Sequence, residues 1–448
     1  MEQRLQTLTT DLLEVARKAG AEAADAVAME GRSISIDVRD GRLEQAERAE
    51  GTELGLRVLI GRRQACVSSS DSAPATLAEM AARAVAMARE APEDPGVGLA
   101  APDQLASDRD VTQLDLADPA PEPDPAGLES DARTAEAAAL AHAGISRVDS
   151  ASAVYGSQRV HLATSGGFSG GYARTSSALF VVAITGEGTG MERDYYGESR
   201  IYRADLPTPE EVGRIAAERT LARSGARRPP TGAFPVLFDE RVAASLVGHL
   251  LAAINGSAIV RGASWLRDAM GEQVLPATLS LTEDPLRPRV SASRLFDAEG
   301  LATARRDLVR DGVLQGWVLD LATGRKLGLD STANAARGAS APPSPSVSNV
   351  ALTQGTASRD ELIAQMGRGL LVTSMIGSTV NPNTGDYSRG ASGFWVENGE
   401  IAFPVNECTI AGNLREMLRS LVPANDARLH LSRVVPSLLV EGLTIAGE

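Results

Sequence analysis

The chain has 448 residues, 43% of them hydrophobic and 23% charged, and its 44 basic and 58 acidic side chains give a formal net charge of −14 at pH 7. This length allows roughly two to four domains with buried cores, and the composition is that of a soluble globular protein. A surface that follows nucleic-acid phosphates needs a basic face, so the acidic balance argues against direct nucleic-acid binding.

Cys66 and Cys408 are the only thiols, which excludes a disulfide framework and favours a reducing compartment. The first eight residues lack the apolar core of a signal peptide. No apolar run approaches the roughly 20 residues that a membrane-spanning helix needs. We therefore expect a cytoplasmic protein with no membrane partner.

Residues 1–95 predict an N-terminal α+β unit. Leucines at helical spacing predict a helix that Gly20 ends. Strict alternation over residues 33–39 predicts a half-buried strand. Asp40-Gly41 predicts a hairpin turn after it, and residues 54–60 predict another strand. A second helix is predicted over residues 72–88.

Residues 96–126 are rich in proline and aspartate, which is typical of a connector or a poorly packed excursion. Residues 127–228 predict a second α+β unit that packs with the first. It contains an alanine-rich helix, strand-like runs at 153–155, 160–163 and 178–185, and a helix that a capping box at Thr208 begins. The pair Pro229-Pro230 marks the clearest domain boundary.

Residues 229–448 predict a strand-rich, mainly antiparallel C-terminal domain. A strand is expected at 234–238 and a helix at 240–254, with a capping box at Ser358 beginning a short helix. Hairpin cues occur at Asp311-Gly312, Thr323-Gly324 and Asn398-Gly399. The predicted fold class is therefore α+β, with N-terminal helix and antiparallel-sheet units followed by this strand-rich domain.

The four histidines are too dispersed to predict a metal site by themselves. A hydrolytic zinc site needs three His, Cys or carboxylate ligands and an open position for water. His142, His161, His249 and His430 lie far apart in sequence, and neither HExxH nor CxxC occurs. The residue inventory argues against a self-contained zinc protease.

Two further segments have a competing functional interpretation. Gly167-Phe168-Ser169-Gly170-Gly171 fits the G-x-S-x-G pattern of a nucleophile elbow, but that motif requires a following helix and residues 179–184 predict a strand. We therefore predict a glycine-rich turn at Ser169. The charged segment ending in Tyr195 and Tyr196 predicts a solvated strand or turn, or alternatively the lining of a peptide groove.

Residues 385–407, continuing to Leu414, resemble the signature of the TldD/PmbA metallopeptidase family, specifically its PmbA (TldE) branch. Matches at Asp40-Gly41, 68–71 and 247–251 extend the resemblance over almost the whole chain. It implies a cytosolic metallopeptidase of two related subunits that encloses its active centre and admits unfolded or short peptides. The TldD-type subunit carries HExxxH and a cysteine nearer the C-terminus, which together hold zinc.

This sequence departs from that pattern at the positions of the zinc ligands and the general base. In residues 244–249, Ala244 replaces the first zinc ligand and Ser245 replaces the general-base glutamate, so that Gly248 and His249 are what remains of HExxxH. Residues 425–436 contain no cysteine, and Cys408 lies in an unrelated segment. The resemblance therefore implies no catalytic residue, no metal site and no cofactor in this chain, and leaves its binding residues open.

The leading hypothesis is a non-catalytic subunit that completes the cavity and the peptide-binding surface, while a TldD-type partner holds zinc. Whether the chain forms a heterodimer with that partner or a homodimer stays open. The alternative is a homodimeric peptide-binding or scaffolding protein without peptidase activity. In a third interpretation His249 binds metal with His430 in place of the cysteine, although two imidazoles without a thiolate make a weak site.

Overall fold

A computed structural model describes residues 2–447, apart from the side chains of residues 2 and 378. The helices are α1 (Glu2–Ala19), α2 (Pro74–Glu90), α3 (Pro125–Leu140), α4 (Pro209–Ala222), α5 (Glu240–Ala253), α6 (Gly256–Val260), α7 (Leu321–Leu327), α8 (Arg359–Met366) and α9 (Leu414–Arg419). None of these described helices is long and apolar enough to cross a membrane.

The strands are distributed over both halves of the chain. They are β1 (Ala23–Arg39), β2 (Arg42–Ile60), β3 (Arg63–Ser69), β4 (Ile145–Thr164), β5 (Ser169–Thr185), β6 (Glu192–Arg200), β7 (Gly232–Phe238), β8 (Leu281–Glu283), β9 (Arg306–Arg310), β10 (Val313–Leu314), β11 (Ala335–Ala336), β12 (Ser344–Pro345), β13 (Val350–Leu352), β14 (Gly369–Val380), β15 (Asp386–Glu397), β16 (Glu400–Asn413), β17 (Val422–Pro423), β18 (Arg433–Val434) and β19 (Leu438–Ala446). The predicted α+β class is confirmed.

The first sheet is antiparallel and has the order β3-β2-β1-β4-β5-β6. Strands from residues 1–95 and 127–228 therefore belong to one sheet, joined where β1 pairs with β4. The runs predicted separately at 153–155 and 160–163 are a single strand. Gly156 does not interrupt it, because Gly156 pairs with Ser33 on one side and Ser176 on the other.

Alternation along β1 separates the two faces of this sheet. Even-numbered residues face the helices: Ala24 and Ala26 share a core with α1 and α2, and Ile34 shares one with α3 and α4. Odd-numbered residues face the C-terminal domain, where Val27 packs in a cluster with Phe296.

The C-terminal domain contains a mixed sheet and a smaller five-stranded sheet. The mixed sheet has the order β16-β15-β14-β7-β19-β17, and β16 also pairs with β19, so that five strands close into a ring. The hairpins predicted at Asp311-Gly312 and Asn398-Gly399 are confirmed. The hairpin predicted at Thr323-Gly324 is wrong, because Asp320 and Thr323 form a capping box that begins α7.

A buried group of three charges joins the first sheet to the C-terminal domain. Asp25 on β1 accepts from Arg57 on β2, with 2.5 Å between Arg57 Nη2 and Asp25 Oδ2, and its other oxygen accepts from Arg337. All three side chains are at most 5% exposed. Burial opposes the charge of Asp25, but the two guanidiniums outweigh it and lower the pKa of Asp25.

A second buried carboxyl lies beside these charges. Glu299 is 5% exposed and accepts a hydrogen bond of 2.8 Å from the backbone N–H of Leu321. Burial, with the nearby Asp297, raises the pKa of Glu299 to about 8, against an opposing effect of Arg57. Glu299 is therefore largely protonated at neutral pH.

The two parts of the chain also approach closely at Gly55 on β2. A Cβ on Gly55 would lie 2.3 Å from the carbonyl oxygen of Ala339, a distance that neither backbone can accept without moving. A Cβ on Gly51, four residues earlier on the same strand, would meet no atom within 4 Å.

We expect Gly55→Ala to destabilise the protein by about 1–3 kcal/mol, because the new methyl group overpacks the contact with Ala339. Gly51→Ala is the matched control and should be neutral. Urea unfolding monitored by circular dichroism measures both. Equal midpoints for the two variants would contradict the close approach.

We expect Glu299→Gln to change how stability depends on pH. The raised pKa of Glu299 stabilises the native state fully below about pH 4.5, and this contribution is lost as the pH rises towards about 8. Glutamine cannot ionise, so the variant should gain stability relative to the parent over that window, by an amount on the order of a few kcal/mol. Urea unfolding at a series of pH values tests this, with exposed Glu400→Gln as control. Parallel curves for parent and Glu299→Gln would refute it.

Candidate functional site

Helix α5 carries the residues that align with HExxxH. The carboxylate of Asp239 accepts from the backbone N–H of Arg241 and caps the helix N-terminus. Ala243, Leu246, Val247, Leu250, Leu251 and Ala253 are buried in the C-terminal core. Ala244 and Ser245 are half-buried, and Ala244 packs against the same core.

Neither Ala244 nor Ser245 is available to a metal. The methyl group of Ala244 offers no lone pair, and the Ser245 hydroxyl donates to the Val242 carbonyl at 2.7 Å. His249 packs edge-on against Tyr387, with ring centroids 5.7 Å apart, and its buried Nε2 has no hydrogen-bond partner within residues 2–447. Of the three aligned positions, His249 alone offers a side chain that could bind a metal.

Two arginines make the surroundings of His249 cationic. A Cβ on Gly248 would lie 3.1 Å from Nη1 of Arg433. Burial, together with the charge of Arg389, lowers the pKa of His249. Among the side chains that the structure describes, there is no cluster of three or more His, Cys, Asp or Glu residues suited to a metal. These residues do not fit a zinc site.

The other candidate residues from the sequence have separate environments. His430 Nε2 lies 3.2 Å from Glu198 Oε2, whereas His249 contacts Tyr387. Burial and Arg200 lower the pKa of His430. Cys408 is buried and donates to the Ala391 carbonyl, and burial raises the pKa of its thiol to about 11.

The turn predicted at Ser169 lies earlier, at residues 165–167, and Ser169 is the first residue of β5. Its Oγ lies 3.3 Å from His161 Nε2, a contact that sequence reasoning missed. Nδ1 of His161 lies 2.8 Å from Thr9 Oγ1, so a hydroxyl stands where a nucleophile elbow would need an orienting carboxylate. Ser169 is followed by a strand and not by a helix.

An ionic cluster connects the edge strand β6 to the start of α5. Arg428 lies 2.8 Å from both Glu198 Oε1 and Glu240 Oε2. Arg200 also pairs with Glu198, whose side chain is 4% exposed. Burial opposes the charge of Glu198, but the arginines outweigh it and lower its pKa.

Beside His430 lies a cleft of about 740 Å³ between the first sheet and the C-terminal domain. Residues of β1, β2, β4, β5 and the end of β6 line one side, and residues 289, 291 and 430–432 line the other. We call this cavity the interdomain cleft. Sequence reasoning missed it because its two walls are far apart in the chain.

The floor of the interdomain cleft includes a row of residues in register, and two of them are glycines. One row runs Gly51, Gly31, Gln158 and Arg174 across four strands. A Cβ added to Gly31 or Gly51 would meet no atom within 4 Å, so the floor is open above the backbone. The site can therefore receive an extended chain close to the sheet.

Three family models match consecutive parts of this chain. Residues 24–88 match the PmbA/TldA metallopeptidase domain 1, residues 118–224 the central domain and residues 231–447 the C-terminal domain. The matched regions include α5, the first sheet and the loop that carries His430.

Full-length relatives agree with these matches. The metalloprotease PmbA of Escherichia coli O157:H7 is 36% identical and covers 99% of this chain and 96% of its own. Haemophilus influenzae has a PmbA homologue that is 35% identical over 100% of this chain and 97% of its own. It also has a metalloprotease TldD homologue, 25% identical over 52% of each chain.

Solved structures share the whole architecture. A Bacteroides thetaiotaomicron protein, described as a candidate modulator of DNA gyrase, superposes with a TM-score of 0.90 at 28% identity and covers 99% of this chain and 98% of its own. TldE from Thermococcus kodakarensis superposes with a TM-score of 0.84 at 20% identity, over 98% and 100% respectively, and supports the fold alone.

We expect Glu198→Gln to lower the pKa of His430 further below the usual value of about 6.5, because the charge of Glu198 favours the imidazolium ion. Arg200 and Arg428 remain beside His430 and act in the same direction. NMR titration of the histidine ring protons measures the shift. His142 is the internal control, and exposed Glu218→Gln is the control variant. An unchanged His430 titration would show that Glu198 does not act on it.

Proposed function

The chain belongs to the PmbA/TldD metallopeptidase family, and on that premise we propose that it is the non-catalytic, PmbA/TldE-type subunit of a cytoplasmic zinc metallopeptidase. The enzyme degrades or processes unfolded or short peptides. A TldD-type partner holds the zinc, and this chain completes the enclosed cavity and the peptide-binding surface.

The environment of α5 is the observation that carries this proposal. Ala244 and Ser245 supply neither a ligand nor a general base, and the positive charge of Arg389, which acts on His249, would oppose a divalent cation there. A zinc-bound water needs three protein ligands and an open position. The bond cleavage is therefore assigned to a partner.

Haemophilus influenzae supports the pairing, since one organism has a PmbA-type and a TldD-type relative of this chain. The interdomain cleft supports peptide binding. Its glycine floor admits a backbone, and a cleft of about 740 Å³ can receive several residues of an extended chain.

The second candidate function is a homodimeric peptide-binding or scaffolding protein without peptidase activity. The same cleft would serve it, because binding a peptide there does not require zinc. The two functions differ in whether peptide cleavage by a TldD-type subunit depends on this chain.

We expect the chain mixed with its TldD-type partner and zinc to cleave an unfolded peptide at least about tenfold faster than the partner alone. Elemental analysis should find one zinc per heterodimer and substoichiometric zinc in the isolated chain. His249→Ala should leave the activity of the mixture unchanged, because His249 binds no metal in this proposal.

Two results would overturn the assignment. Cleavage by the partner at the same rate without this chain would favour the scaffolding function. Chelator-sensitive hydrolysis by the pure chain, abolished by His249→Ala, would show that the chain has an active metal site of its own.

A further inference from the structure

The residues that line the interdomain cleft include more basic than acidic side chains. Four arginines line it, against two glutamates, whereas the chain has a formal net charge of −14. The arginines are Arg32, Arg174, Arg200 and Arg289, and the glutamates are Glu50 and Glu53. His430 adds an imidazole to the same lining.

Three of these arginines already have carboxylate partners. Arg32 pairs with Glu50 and Glu122, Arg200 pairs with Glu198, and Arg289 pairs with Asp115 and Asp205. Their charges are largely compensated by the protein itself.

Arg174 differs from the other three. Within the described residues its guanidinium donates to the carbonyl oxygens of Ser291 and Ser293 and lies over the ring of Tyr172, 4.6 Å from the centroid. Its buried Nε has no hydrogen-bond partner in residues 2–447. Arg174 is thus a half-buried cation that, among the described residues, faces carbonyl dipoles and no carboxylate.

A buried charge without a counter-charge is unfavourable, and the surroundings of Arg174 show that cost. Burial lowers the pKa of Arg174, and repulsion from Arg294 acts in the same direction. A carboxylate that entered the cleft would supply the missing counter-charge at low local dielectric, where the attraction is strong.

We propose that the interdomain cleft selects peptides that carry a carboxylate, which pairs with Arg174 while the peptide backbone lies over Gly31 and Gly51. This inference rests on the peptide-binding role proposed above and specifies its substrate class. The carboxylate comes from an aspartate or glutamate side chain or from the free C-terminus. Both sources offer the same planar, twofold acceptor to a guanidinium.

The test uses fluorescent ten-residue peptides that differ only in their carboxylates, with binding to the full chain measured by fluorescence anisotropy. One peptide has a central glutamate and an amidated C-terminus, the second has glutamine with the amide, and the third has glutamine with a free C-terminus. We expect a carboxylate peptide to bind at least tenfold more tightly than the glutamine amide. The first and third peptides, each compared with the second, tell the side chain from the C-terminus as the source.

Two variants assign that preference to the cleft. Arg174→Gln retains donors for the carbonyl groups but removes the charge, and should reduce the preference to less than twofold. Gly51→Glu places a negative charge on the open floor without touching Arg174, and should also abolish the preference if Arg174→Gln fails to fold. Arg267→Gln, at an exposed arginine outside the cleft, is the control and should retain it.

Equal binding of all three peptides would overturn the inference while leaving the peptide-binding role intact. A preference that survives both Arg174→Gln and Gly51→Glu would place carboxylate recognition outside the cleft and also overturn it. If no peptide binds either the chain or its complex with a TldD-type partner, the peptide-binding role itself fails.

Discussion

The carboxylate of Asp25 lies between two guanidiniums, one from its own sheet and one from the C-terminal domain, and the rest of the arrangement depends on this contact. Buried charges are tolerated only when every partner is in place, so Asp25, Arg57 and Arg337 fix how the two parts of the chain meet. The close approach of Gly55 to Ala339 follows from that docking. The interdomain cleft is the space left between the same two surfaces further along the strands.

Helix α5 carries the positions that align with HExxxH in this metallopeptidase family, with Ala244 at the first ligand and Ser245 at the general base. The buried face of this helix belongs to the C-terminal core, and Ala244 packs against that core as well. Arg428 ties the start of α5 to β6 through Glu240 and Glu198, and this contact positions α5 relative to the cleft.

Local signals in the sequence predicted much of this fold. The capping boxes at Thr208 and Ser358 begin helices as expected. Thr323-Gly324 was predicted as a hairpin turn but lies in helix α7, because such a residue pair also fits inside a capped helix. Long-range features were not predictable. The turn at Asp40-Gly41 alone would pair Gly31 with Glu50, and it is the bulge at Asp37 that shifts the register and aligns Gly31 with Gly51. Likewise, no pattern in the sequence predicts the contact between Asp25 and Arg337.

The sign of the charge in the cleft also limits how a peptide can be recruited. An acidic protein repels acidic ligands at long range, but salt screens that repulsion beyond a Debye length of about 8 Å at physiological ionic strength. Attraction to Arg174 operates inside that distance, in a partly desolvated setting where screening is weak. Selection by the cleft should therefore appear mainly in the dissociation rate and little in electrostatic steering. Such a site would discriminate among peptides already in the cleft, in keeping with the proposed role of a subunit whose partner performs the cleavage.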